Sequence, residues 1–269
     1  MSRAVPPALA AFTESEFSYN AVTHAVYGAG TGPGVVVMSE MPGITPNVAA
    51  FAQRLVDAGF TVAMPVLFGT PGREISAGYT MSSMRQGCVS HEFTTWALNR
   101  TSPVIEWLRA LARDLHEQCG GPGVGAIGMC FTGGFALAMS VDDTMLAPVL
   151  SQPSLPFGVG KARKRALGLS DADLARVVER EDLCVLAMRF TGDSFVPEQR
   201  FAHLREALGD RVITVEIENR NGRNPHDIPK MAHSVVTEHL VDEPGHPTKE
   251  ALDQVLAFFQ DRLKASGTD

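Results

Sequence analysis

The stretch VGAIGMCFTGGFAL, Val124 to Leu137, decides the fold. VGAIGM is a continuous apolar run of strand length, the pattern of a strand buried on both faces, and it passes without a polar linker into the small-residue helix FTGGFALAMS. A buried strand turning straight into a helix is the repeating unit of a parallel α/β sheet. Cys130 stands at the junction, with Gly128, Gly133 and Gly134 where the backbone must approach closely. A turn this sharp exposes the sulfur, and the helix N-terminus aimed at it stabilises a thiolate. The same helix start offers the N–H of Phe131 to an oxyanion. Taken alone, Cys130 can equally be read as a small buried cysteine in a tight turn.

The alternation continues on both sides. Upstream, GVVVMSE (Gly34 to Glu40) reads as a buried strand, PNVAAFAQRLVDAG (Pro46 to Gly59) as a helix with proline in its first turn, and FTVAMPVLF (Phe60 to Phe68) as a strand ending near Pro65. SPVIEWLRALARDLHEQCGG follows as a helix with Ser102 as its predicted N-cap. Downstream come strand APVLS (Ala147 to Ser151), helix SDADLARVVERE capped by Ser170, and strand LCVLAMRFTGD (Leu183 to Asp193). Helix VPEQRFAHLREALG, strand RVITVEI (Arg211 to Ile217) and a closing helix KEALDQVLAFFQDRLKAS complete the series. The expectation is an α/β protein, a mostly parallel central sheet flanked by helices on both faces, in one domain over 1–269. Residues 1–16 read as an N-terminal extension, and 69–101 and 153–182 as excursions that are candidates to cover a site.

Composition narrows the function classes. The chain has 269 residues, 45% hydrophobic and 20% charged, with 23 Lys+Arg against 30 Asp+Glu and a net charge of -7. This balance disfavours nucleic-acid binding. The sequence has no membrane-length apolar run, and its N-terminal stretch has no usable signal core, so a soluble, non-exported, cytoplasmic protein is expected. Cysteines at 88, 119, 130 and 184 are too sparse for a disulfide scaffold and suit a reducing compartment. Cys88 and His91 have metal-like spacing, but no second pair accompanies them. The basic run KARKR (Lys161 to Arg165) reads as a solvated patch.

Two later residues bear on Cys130. Asp193 closes the strand of RFTGDSFVP, at the sheet edge where α/β proteins place ligands. His233, in KMAHSVVT, lies between the last strand and the last helix. Nucleophile, acid and base in the order Cys, Asp, His, each at or after a strand end, is the α/β-hydrolase order. His226, in NPHDIP, is the rival base, read more naturally as a loop residue. His24, His91, His116, His203, His239 and His246 have no partner visible in sequence.

These segments resemble the dienelactone hydrolase family: VVVMSEMPG with RLVDAGFTVAMPVLFG, then GMCFTGG as a Gly-x-Cys-x-Gly-Gly elbow, then TGDSFVP and the histidine before LAFFQDRL, over roughly residues 22 to 263. The resemblance implies the α/β-hydrolase fold with Cys130 as nucleophile, His233 as base and Asp193 as the residue orienting it. It further implies Met41 and Phe131 N–H groups as oxyanion donors, and Glu40 as the carboxylate that contacts the resting cysteine. Glu40 also has a plainer reading, a strand-end carboxylate satisfied by backbone donors.

The chain departs from the family pattern at Thr132, where a glycine is usual, a change expected to tighten the elbow or to place a hydroxyl in the site. MSSMRQGCVSHEFTTWALNR does not follow the expected carboxylate pocket. Arg85 is a candidate for a substrate carboxylate, with a solvated arginine as the alternative. The expected activity is hydrolysis of a carboxylic ester or lactone, of the carboxymethylenebutenolidase kind. Its partner is a small-molecule substrate, and no metal or organic cofactor is required. Two rivals remain: a non-catalytic ligand-binding or regulatory protein on the same scaffold, and a redox thiol, which has no resolving cysteine near it.

Overall fold

The computed structural model describes residues 5–76, 78–83, 102–155, 164–220 and 224–264. Its strands are β1 (Thr13–Tyr19), β2 (Val22–Ala29), β3 (Gly34–Met38), β4 (Thr61–Pro65), β5 (Val124–Met129), β6 (Met145–Ser151), β7 (Val185–Phe190) and β8 (Val212–Ile217). They form one eight-stranded sheet in the order β1-β2-β4-β3-β5-β6-β7-β8. The pairs β1–β2 and β2–β4 are antiparallel, and every pair from β4 through β8 is parallel. This is the α/β-hydrolase fold.

The main helices are α1 (Pro46–Asp57), α2 (Pro103–Cys119), α3 (Gly133–Met139), α4 (Asp171–Glu179), α5 (Glu198–Leu208) and α6 (Pro247–Leu263). They cover both faces, which is why the central strands are apolar throughout rather than alternating. On β3, Val35 and Val37 pack with α1 and α6, while Val36 and Met38 pack with α2 and α3. Val48, Phe51 and Leu55 of α1 are sealed from solvent, each contributing about 1.5–3 kcal/mol of burial.

Local signals fix the helix starts. Thr45 caps α1, its hydroxyl accepting the Val48 N–H at 3.2 Å, with Pro46 as the first helical residue. Ser170 caps α4 by accepting the Asp173 N–H at 3.1 Å. Ser102 departs from expectation: its hydroxyl makes no cap bond, and its carbonyl takes the Ile105 and Glu106 N–H groups instead. Residues 13–16 are a second departure, for they are the first half of β1 rather than an extension. Asp193 lies three residues beyond the end of β7. Within 69–101, residues 78–83 are helical and 84–101 lie outside the described residues; 153–182 contains α4.

Candidate active site

The C-terminal ends of the parallel strands gather the chemistry. Cys130 follows β5 directly, and its φ of 54° puts a non-glycine residue in the left-handed region, a conformation that persists only where surrounding structure enforces it. Enforcement comes from close packing. A Cβ on Gly128 would stand 2.0 Å from the Thr132 carbonyl oxygen, and one on Gly133 would stand 2.6 Å from Pro153 Cα. Only glycine lets β5, the 130–132 turn and the segment after β6 come together. The turn passes into α3, leaving Cys130 half-buried with Phe131 beside it.

Thr132 is part of the same brace. Its hydroxyl accepts the Met129 N–H at 2.9 Å, and it lies 2.9 Å from the Met38 carbonyl, to which it donates. The residue is fully buried. The threonine therefore ties the elbow to β3, and its hydroxyl does not enter the site.

His233 and Asp193 meet at the same edge. The Asp193 carboxylate is almost fully buried, while about a fifth of the His233 side chain, 19%, is exposed. His233 Nδ1 donates to Asp193 Oδ2 at 2.6 Å, and the other carboxylate oxygen accepts the Phe195 N–H at 2.9 Å. Cys130 is the other group that acts electrostatically on the imidazole. Burial alone works against the imidazolium. The electrostatic effect of Cys130 and the Asp193 hydrogen bond outweigh it, holding His233 well above the ordinary value of 6.5. Phe195, mostly exposed, packs edge-on against the imidazole with ring centroids 5.8 Å apart.

Glu40 follows β3, the strand beside β5, and is buried. Its carboxylate accepts the hydroxyls of Ser234 and Thr237, and Gln152 Nε2 donates to it at 3.3 Å. These bonds differ from the expected contact with the resting cysteine: Cys130 is not among its partners, and neither are the backbone donors of the plainer reading. Burial raises the Glu40 carboxyl above its ordinary value, against the lowering effect of the two hydroxyls and of His233. The carboxylate thus anchors the loop that carries His233. His239 anchors it as well, its Nδ1 accepting the Ser234 N–H at 3.3 Å.

The sulfur of Cys130 instead faces Ser154, whose Oγ lies 3.1 Å away. Ser154 and Gln152 were not singled out in the sequence, where SQPS carries no pattern that distinguishes it from a loop. Gln152 is fully buried at a φ of 38°, and its Oε1 accepts the Val235 N–H at 3.3 Å. Met41 is partly buried just after Glu40 and begins the cis Met41–Pro42 peptide. His226 sits apart, its ring packed on His246 at 5.3 Å, so the structure brings His233 and not His226 to Asp193. Arg85, and the Cys88 and His91 pair, lie outside the described residues. Of KARKR, Arg165 pairs with Glu206 at 2.6 Å. Among the described residues no group of three or more His, Cys, Asp or Glu is arranged to hold a metal ion, and no helix is long and apolar enough to cross a membrane.

Solved structures share this fold. A dienelactone hydrolase-like promiscuous phosphotriesterase from metagenomic libraries is 19% identical, with a TM-score of 0.62 over 94% of this chain and 98% of its own. The dienelactone hydrolase from Anabaena variabilis is 15% identical, with a TM-score of 0.55 over 94% of this chain and 100% of its own. A cold-adapted esterase from an Arctic intertidal metagenomic library is 15% identical, with a TM-score of 0.56 over 93% of both chains. Comparison with curated proteins gave no match. The model of the dienelactone hydrolase family matches residues 20–260, nearly the whole of the sheet and every residue of the constellation just described. The chain belongs to the dienelactone hydrolase family.

Proposed function

We propose that this member of a hydrolase family cleaves a carboxylic ester or lactone through an acyl-cysteine intermediate, with Cys130, His233 and Asp193 as the triad. The observation that carries this reading is the convergence of the three: a 2.6 Å bond from His233 to Asp193, with an elbow cysteine close enough to act electrostatically on the imidazole. Cys130 attacks the substrate carbonyl as a thiolate while His233 holds the proton. The N–H groups of Met41 and Phe131 receive the oxyanion. Collapse of the tetrahedral intermediate breaks the carbon–oxygen bond, and the imidazolium delivers its proton to the departing alkoxide. Water, losing a proton to His233, then attacks the thioester and releases the acid. Asp193 holds the imidazole in the tautomer these transfers need.

A panel of lactones and p-nitrophenyl esters run on the wild type, Cys130→Ala and Cys130→Ser tests this. Turnover in the wild type that disappears in Cys130→Ala is expected. Undiminished turnover in Cys130→Ala would remove the proposal.

A further inference from the structure

We infer that Ser154 is a fourth catalytic residue, its hydroxyl donating a hydrogen bond to the Cys130 thiolate and holding that charge opposite His233 until substrate arrives. The inference rests on the proposed role of Cys130 as nucleophile.

The geometry is specific. Ser154 Oγ stands 3.1 Å from Cys130 Sγ, and the Ser154 N–H donates to the Cys130 carbonyl at 2.9 Å, so one residue grips both the side chain and the backbone of the nucleophile. A hydroxyl carries one proton and two lone pairs. Facing a thiolate, which has no proton to give, the hydroxyl must be the donor. The sulfur then has the serine as its donor, with the charge of His233 acting on it as well.

Ser154 is also held in place by its neighbours. Its side chain is nearly sealed from solvent. Pro153, immediately before it, packs so tightly on Gly133 that no Cβ fits there. The Pro153 carbonyl accepts Nη1 of the buried Arg200 at 2.7 Å, while Nε of that guanidinium holds the Ala166 carbonyl at 2.7 Å. Gln152 before that is locked by its buried amide and by the bond from its N–H to the Met188 carbonyl at 2.8 Å. A serine fixed this firmly loses little entropy on bonding the sulfur. The bond is stronger to a charged sulfur than to a thioester sulfur, so it weakens as the acyl group is transferred.

The rate of Cys130 alkylation by iodoacetamide, followed by intact mass across pH, tests the inference without requiring turnover. In Ser154→Ala the acid limb should move to higher pH by about one unit, a tenfold loss of alkylation rate at the acid end, with the alkaline plateau preserved. Ser154→Thr keeps the hydroxyl and should restore the wild-type limb. An unchanged limb in Ser154→Ala would overturn the inference, as would an equal shift in both variants. A folded, alkylatable wild type that hydrolyses no ester or lactone, yet shows the Ser154→Ala shift, would leave the role of Ser154 standing and count against the proposed activity.

Discussion

Two neighbouring parallel strands end alike and serve opposite purposes. After β5, Cys130 takes a φ of 54°; after β6, Gln152 takes a φ of 38°. Neither is glycine, and backbone conformations of this kind cost of order 1–3 kcal/mol unless their surroundings enforce them. At Cys130 the twisted backbone turns a side chain outward, half-exposed, toward His233 and Ser154. At Gln152 it turns an amide inward, where it joins Glu40 to the N–H of Val235 in the histidine loop. One strained residue presents the proposed nucleophile and the next positions the proposed base. The pair shows that strain at a strand end does not by itself identify the reacting group; the direction in which the side chain is sent does.

Removing the outward residue should have the largest effect. Cys130→Ala is expected to lower kcat/KM for a p-nitrophenyl ester by at least about a thousandfold with the fold intact by circular dichroism, since the acyl acceptor itself is lost. Asp193→Asn should come next, with kcat lower by about a hundredfold to ten-thousandfold. This variant also has a pH signature. Asp193 raises His233 through its hydrogen bond and its charge, so its loss lets the imidazolium give up its proton at lower pH. The alkaline limb of the kcat/KM profile should therefore move down in pH, and a limb that stays in place would separate His233 from Asp193.

Gly128→Ala tests the packing that enforces the outward turn. Its Cβ would meet the Thr132 backbone carbonyl oxygen at 2.0 Å, so the elbow must shift. We expect a stability loss of about 1–3 kcal/mol in urea titration and at least tenfold lower kcat. Gln152→Ala tests the inward residue and should reduce kcat about tenfold, with a stability loss of about 1–3 kcal/mol, because the Val235 N–H and the Glu40 carboxylate each lose a partner. Equal catalytic damage from Gln152→Ala and Cys130→Ala would erase the distinction between the two turns. The smallest catalytic effect is expected from Thr132→Val, which removes the hydroxyl bonds to the Met38 carbonyl and the Met129 N–H. It should lose about 1–3 kcal/mol of stability while retaining kcat within a few-fold.

The same contrast explains what could be read in the chain. The outward turn was legible because Gly128, Gly133 and Gly134 flank a cysteine between an apolar run and a helix, a pattern confined to a few adjacent residues. Each central strand was likewise visible, since burial on both faces leaves a continuous apolar run. The inward turn was not legible: nothing local in Ser151–Ser154 says that a glutamine reaches Glu40, 112 positions away in sequence. The contact of Ser154 with Cys130 is of the same kind, made by the sheet that sets β6 beside β5. The β1–β2 hairpin was missed for another reason. Its two-residue turn, Asn20–Ala21, has positive φ at both positions, a geometry that usually announces itself as Asn-Gly. Its first strand is polar and mostly exposed, which hides the alternation. Thr132 was noticed as a departure from the family pattern, but its bonds to β3 and β5 become evident only when those strands lie side by side.

Intact-mass analysis of the protein mixed rapidly with a p-nitrophenyl ester and quenched in acid tests the central claim most directly. The account predicts one acyl group on the wild type, mapped by peptide sequencing to Cys130, formed as p-nitrophenol is released and lost as the acid appears, with no adduct on Cys130→Ala. Steady hydrolysis by Cys130→Ala at the wild-type rate, or an acyl group found on Ser154 in place of Cys130, would contradict it.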